Sequence, residues 1–229
     1  MMTQPPAVIT IDGPVSSGKG TISRRLAQHL GWHLLDSGAL YRIVAHISLK
    51  TGVAADDHQT LAKIASDMQV KFEAEQNGPH IYWQREDISL AIREEACSQR
   101  ASQVASLDAV RQALAARQRA FRQAPGLIAD GRDMGTVIFP DAPVKIFLIA
   151  TALERAKRRL HQLKAQGLNV TLRELLTSIE ERDRRDTTRP ISPLVAAEDA
   201  IEIDSTHLTI DQVVEQVLTA ARNRNVIAS

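Results

Sequence analysis

Aromatic residues are scarce: two Trp, two Tyr and four Phe, 3% of 229 residues. A protein that stacks many nucleobases on aromatic platforms needs more. Charge of one sign is lacking as well. Lys and Arg number 28 against 27 Asp and Glu, a net charge of +1. A bulk electrostatic grip on a nucleic-acid polymer or an anionic membrane is therefore not expected. The single cysteine, Cys97, excludes an internal disulfide framework and a cysteine-based zinc site, and it suits a reducing cytoplasm. The seven His show no metal-ligand spacing, so no protein-held metal is expected from them. The longest nearly apolar run, Val144 to Leu153, is too short to span a bilayer. Met1 to Pro6 lacks the charged region and apolar core of a secretory signal.

What is present suits one globular domain with small inserts: the chain is 44% hydrophobic. The cations are skewed, with 21 Arg to 7 Lys. Arginine offers a planar fork of donors that matches phosphates and carboxylates, whereas lysine is a point charge. GC-rich codon usage enriches arginine too, so position must decide between the two explanations.

Strand and helix patterns alternate. Val8–Ile11 reads as a strand and Lys19–Leu30 as a helix with Ile22, Leu26 and Leu30 on one face. His33–Ser37 reads as a strand, and a helix follows to about Thr51. Val70–Ala74 and His80–Trp83, joined by a turn at Asn77-Gly78-Pro79, form a hairpin insert. Tyr82 and Trp83 in it read as packing residues. Two helices span about Ser89 to Phe121. Strands follow at Leu127–Asp130, Val144–Ile149 and Ile201–Asp204, with helices at 153–166, 171–186 and 210–222. This order predicts an α/β fold with a parallel sheet.

Between the first strand and first helix lies Gly13-Pro14-Val15-Ser16-Ser17-Gly18-Lys19-Gly20-Thr21. Gly13, Gly18 and Lys19 match the phosphate-binding P-loop, in which backbone amides and a helix N-terminus cradle phosphate oxygens and the lysine reaches the outer phosphates. Gly20 stands where many P-loops place the Mg²⁺-binding hydroxyl, and Thr21 supplies a hydroxyl one position later. No glycine lies between Gly13 and Gly18, so a positive φ at Ser16 would carry steric cost. No Asn-Lys-x-Asp run reads guanine, and the chain is short for a motor ATPase. Small-substrate kinases remain.

Three blocks narrow this class: Asp36-Ser37-Gly38-Ala39-Leu40-Tyr41-Arg42, Asp130-Gly131-Arg132-Asp133, and Glu181-Arg182-Asp183 with Asp186 and Arg189. With Gly18-Lys19-Gly20-Thr21 they resemble the bacterial cytidylate kinases, from about Val8 to the last helix. The departure is Val15-Ser16-Ser17, where that family usually has a small residue, Gly, then Ala or Ser.

The resemblance implies a P-loop nucleoside monophosphate kinase fold, with a five-stranded parallel sheet flanked by helices. It implies a core at 1–51, 101–159 and 173–229, an acceptor-binding insert at 52–100 and a lid at 160–172. It implies transfer of a phosphoryl group from ATP, with Mg²⁺, to CMP or dCMP. By resemblance Arg155 and Arg159 lie on the donor side. Ser37, Arg42, Ser102, Arg111, Arg132, Asp133, Arg182, Asp186 and Arg189 surround the acceptor. Lys19, Arg132, Arg159 and Arg182 neutralise the transferring group. Chemistry assigns the cytosine amine to Asp133, because a carboxylate accepts from it and repels the uracil carbonyl. Arg111 and Ser102 then serve the base, and Arg42 and Arg132 the phosphate. Arg173, Arg184 and Arg222 read as solvated ion-pair formers. Asp130 is either an organiser of Mg²⁺ waters or a structural carboxylate. The alternatives are a kinase preferring UMP and a P-loop regulator that holds ATP without transferring it. A monomeric, cytoplasmic protein with nucleotide partners is expected.

Overall fold

In the computed structural model, which describes residues 5–75, 78–165 and 167–228, the chain divides into two compact units. The first comprises the chain up to Asp36 and from Gln118 onward, and the second is Ser37–Arg117.

The first unit is built on a five-stranded parallel sheet. Its strands are β1 (Ala7–Asp12), β2 (His33–Asp36), β6 (Gly126–Gly131), β7 (Val144–Ile149) and β8 (Ile201–Asp204), in the order β2-β6-β1-β7-β8. Strands buried on both faces carry continuous apolar runs, and every residue of β6 is buried. One face packs on helices α1 (Lys19–Leu30) and α8 (Ile210–Asn223): Ile9, Ile11, Ile128, Ile146 and Leu148 meet Ile22, Leu26, Val213 and Val217. Helices α6 (Ala152–Ala165) and α7 (Leu172–Thr188) pack against each other. α7 starts at a reciprocal cap between Thr171 and Glu174 and stops at Arg189, because Pro190 disfavours helical backbone before it. The central strand β1 pairs with β6 on one side and β7 on the other, in parallel register. The connections diverge across β1, and in such sheets ligands bind beyond the C-terminal strand ends at that point.

The second unit holds α2 (Ser37–Lys50), α3 (His58–Asp67), α4 (Glu95–Val104), α5 (Asp108–Arg119, whose last two residues belong to the first unit) and an antiparallel sheet β3-β4-β5 (Val70–Glu75, Gly78–Trp83, Glu86–Asp87). It is wider on both sides than the 52–100 insert expected from sequence. Of the expected turn at 77–79, Asn77 lies outside the described residues, and Gly78 and Pro79 belong to β4. α3 was not read from sequence. Its signals are an Asp57 side chain that accepts from the Thr60 amide at 3.0 Å and buried Leu61 and Ala65. Trp83 packs edge-on to His46 and lies under Lys50. Residues 1–4 of the stretch read for a secretory signal, and Gln166 of the expected lid, lie outside the described residues.

Candidate active site

β1 and β6 end side by side, with Ile11 opposite Asp130 and Asp12 opposite Gly131. This register brings the P-loop and the Asp130–Asp133 block together at the C-terminal strand ends. Gly13 is required by space: a Cβ there would stand 2.1 Å from the Leu148 carbonyl oxygen. Gly18, at φ 96°, caps α1. Ser16 has φ 59°, so the strain expected for a serine in the centre of the loop is present, on the order of 1 kcal/mol.

The loop's carbonyls are held by side chains. Lys19 Nζ donates to Pro14 O at 2.9 Å, and Arg155 Nη1 to Val15 O at 3.2 Å. Ser17 O accepts from Arg158 Nη1 at 3.1 Å and from Ser205 Oγ at 3.2 Å. In a planar trans peptide the next residue's N–H points opposite the C=O. The amides of Val15, Ser16 and Gly18 therefore face away from those donors, as a phosphate cradle needs.

The arginines of α6 divide. Arg155 is buried, with both Nη atoms on Asp183 at 3.0 and 2.5 Å. Its contact with Val15 makes it a support of the loop. Arg159 Nη1 donates to Gln162 along its own helix at 3.1 Å. Arg158 and Ser205, which the resemblance left out, are on the loop; Arg158 also bonds Ser205 O and Oγ. Its signal was the i, i+3, i+4 spacing of Arg155, Arg158 and Arg159 on one helical face.

Gly20 makes room for a carboxylate: a Cβ there would be 3.2 Å from Asp130 Oδ2. Thr21 Oγ1 accepts from Arg24 at 3.4 Å. Among the described residues no three His, Cys, Asp or Glu side chains group as a metal site.

Residues near the end of β6 and on α7 form a charged cluster with Lys19. Arg132 Nε donates to Asp186 Oδ2 at 3.0 Å. Burial pushes the Asp186 carboxyl up, but the guanidinium groups of Arg132, Arg182 and Arg189 outweigh it and hold the group below its ordinary value. Burial, with Arg132 and Arg182 nearby, depresses Lys19 to about 7 against the opposing pull of Asp130 and Asp186. Arg189 Nε donates to Ser192 O at 2.6 Å. Arg184 is exposed, as expected. Arg185 is exposed too. Arg173 is exposed, and Arg222 pairs with Glu215 at the surface.

Asp12 went unremarked in the sequence. It is buried, and its carboxylate accepts from the Met134 amide at 2.9 Å and the Gly135 amide at 2.8 Å. Burial raises its pKa to about 7; the two amides oppose this, and the carboxylates of Asp133 and Asp130 add to it.

The second unit collects the other expected acceptor residues. Ser37 opens α2 and is buried. Arg42 is half-buried on α2, and its carbonyl accepts from Cys97 Sγ at 3.2 Å. Burial pushes the Cys97 thiol up to about 11, far from a reactive thiolate. Arg111 is buried on α5, its guanidinium 5.7 Å from the Tyr41 ring centre and its Nη1 on Ala105 O. Ser102 Oγ, on α4, is buried with no hydrogen-bond partner among the described residues.

A family described as cytidylate kinase matches residues 9–223. A cytidylate kinase of Sodalis glossinidius (strain morsitans) is 53% identical over 221 residues, 96% of this chain and 97% of that protein. A cytidylate kinase of Pseudomonas savastanoi pv. phaseolicola is 54% identical, covering 96% of each chain. Among solved structures, a gluconokinase from Sinorhizobium meliloti 1021 aligns over 96% of this chain and 94% of that one, with 14% identity and a TM-score of 0.46.

Proposed function

The chain belongs to the cytidylate kinase family, and from that premise we propose that it transfers the γ-phosphoryl group of ATP to CMP or dCMP, giving ADP and CDP or dCDP. The observation that carries this reading is the P-loop between β1 and α1, with Lys19 close to Arg132 and Arg182 at the C-terminal strand ends. A P-loop with cations gathered beside it suits a polyanion, and the nucleotide phosphates supply one.

The P-loop residues Gly13 to Thr21 take the donor phosphates, with Lys19 reaching the transferring group. Arg155, Arg158 and Ser205 support the loop from behind. The acceptor's phosphate oxygen is already anionic near pH 7, so no general base is needed. Positioning and charge neutralisation carry the chemistry. Arg42 and Arg132 hold the acceptor phosphate. Arg132, Arg159 and Arg182 offset charge in the transition state, and Arg182, Asp186 and Arg189 hold the sugar and phosphate. Asp133 accepts from the cytosine amine, while Arg111 and the unpartnered Ser102 hydroxyl donate to the ring acceptors, and Ser37 also serves the acceptor.

Mg²⁺ suits the donor set, because Asp130 places a carboxylate oxygen beside position 20 and Thr21 adds a hydroxyl. Asp130 and Thr21 would hold the ion through its waters. When bound, it spreads the negative charge of the phosphates.

The stretch 160–172, which begins in the last turns of α6 and ends at the start of α7, acts as the lid that excludes water when both nucleotides are present. Among the described residues no helix is long and apolar enough to cross a membrane. We place the protein in the cytoplasm, as a monomer in pyrimidine nucleotide metabolism.

A coupled ADP-release assay across CMP, dCMP, UMP, AMP and GMP tests the reading. CMP or dCMP should stimulate most. Strongest stimulation by UMP identifies a kinase for the other pyrimidine. Stimulation by none identifies an ATP-holding regulator, which the strained Ser16 alone favours.

A further inference from the structure

We infer that Asp12, at the end of β1, is a positioning residue that sets base specificity by fixing the turn that carries Asp133. The inference rests on the base-reading role proposed for Asp133.

Residues Met134–Ile138 form a wide π-helical turn, with Phe139 N donating to Met134 O at 2.7 Å and Ile138 N to Asp133 O at 3.2 Å. The first amides of any helical turn have no acceptor within it. Asp133, which precedes the turn, makes no side-chain cap. Asp12 performs that task from a strand more than a hundred residues away in sequence, one carboxylate oxygen on each of the first two amides.

The turn has little room to shift. A Cβ on Gly135 would lie 2.9 Å from Thr10 Oγ1 and 3.2 Å from the Lys145 stem. A Cβ on Gly131 would lie 2.7 Å from the Met134 side chain. Thr10 and Asp12 alternate with Ile9 and Ile11 along β1, so one face of the strand makes the apolar core and the other seats this turn. The next residue, Gly13, begins the P-loop. One strand end thus anchors the donor loop through its backbone and the base-reading turn through a side chain.

A carboxylate is a costly choice for a buried position with two other carboxylates nearby. Its advantage over asparagine is two acceptor oxygens. An asparagine would satisfy one amide and turn its own NH₂ toward the other. The pair of bonds holds Met134 and Gly135 together, and with them the backbone from which the Asp133 side chain projects.

The test compares Asp12→Asn, Asp133→Ala and the double variant by the ratio of kcat/KM for CMP to that for UMP. Asp12→Asn should lower the ratio about tenfold, since a misplaced polar group discriminates poorly. KM for CMP should rise, while KM for ATP stays within about twofold. Added to Asp133→Ala, it should change the ratio no further. A general structural defect would instead weaken both pyrimidines alike. The inference is overturned if Asp12→Asn folds and keeps the parent ratio while Asp133→Ala collapses it. If Asp133→Ala itself keeps the ratio, the base-reading assignment falls and takes the inference with it. Should Asp12→Asn not fold, Gly135→Ala displaces the same turn against Thr10 and Lys145 without altering Asp12. A lowered ratio there supports the inference, and an unchanged one overturns it.

Discussion

Arg132 Nε and Asp186 Oδ2 lie 3.0 Å apart in a pair largely shielded from solvent, with side-chain exposures of 17% and 9%. The pair joins the end of β6 to α7. Asp186 titrates below its ordinary value in the folded protein, so the unfolded chain takes up its proton first as pH falls. Its contribution to stability is complete above the ordinary value of 3.8 and is lost as pH falls through the folded pKa. Acid unfolding of the parent, followed by circular dichroism below pH 4, should therefore be steeper than that of Asp186→Asn. Parallel curves would remove Asp186 from the acid-sensitive set.

Lys19 gives a pH dependence of opposite sense. In the ligand-free protein its pKa is about 7, held down by burial and by Arg132 and Arg182. A polyphosphate beside it favours the charged form. Above pH 7 the free lysine is neutral and must gain a proton when ATP binds. Affinity for ATP should fall about tenfold per pH unit above 7 until the bound-state value is reached. Titration calorimetry at pH 8 in buffers of different ionisation enthalpy should report uptake of about one proton. Lys19→Met should abolish the uptake.

Most of the fold was legible because its signals are local. α1 runs from Lys19 to Leu30, its apolar periodicity bounded by Gly18 and Gly31, and β7 from Val144 to Ile149, a nearly apolar run that follows Pro143. α3 was missed because its apolar face is short, with two buried hydrophobic residues, and its cap is one Asp. The P-loop and the Asp130–Asp133 block stand out as contiguous motifs. Arg158, Ser205 and Asp12 do not, since each acts through a partner far away in sequence. Asp12 reads as the last residue of a strand, and only the register of β1 on β6 brings it to the Met134 and Gly135 amides.

Ser16 holds a left-handed φ of 59° that a glycine adopts without steric cost. Ser16→Gly should relieve about 1 kcal/mol of strain and return about half of it as chain entropy in the unfolded state. The expected result is a small gain, a rise in Tm of about 1–2 °C. A fall in Tm would show that the serine side chain contributes a bond worth more than the strain.

Arg158 and Arg159 are adjacent on α6 and should fail differently. Arg158 holds the Ser17 carbonyl and, through Ser205, the turn after β8. Its loss frees one edge of the phosphate cradle, so Arg158→Ala should raise KM for ATP about tenfold. It should change KM for CMP less than about threefold. Arg159 extends along its own helix toward Gln162, at the start of the stretch proposed as a lid. A residue that engages the phosphoryl group only after closure contributes to the transition state alone. Arg159→Ala should therefore lower kcat by about a hundredfold and leave KM for ATP near the parent value. Steady-state kinetics with each nucleotide varied in turn separates the two patterns. A shared pattern, either both in KM or both in kcat, would place the two arginines in one role and remove the distinction between loop support and charge neutralisation.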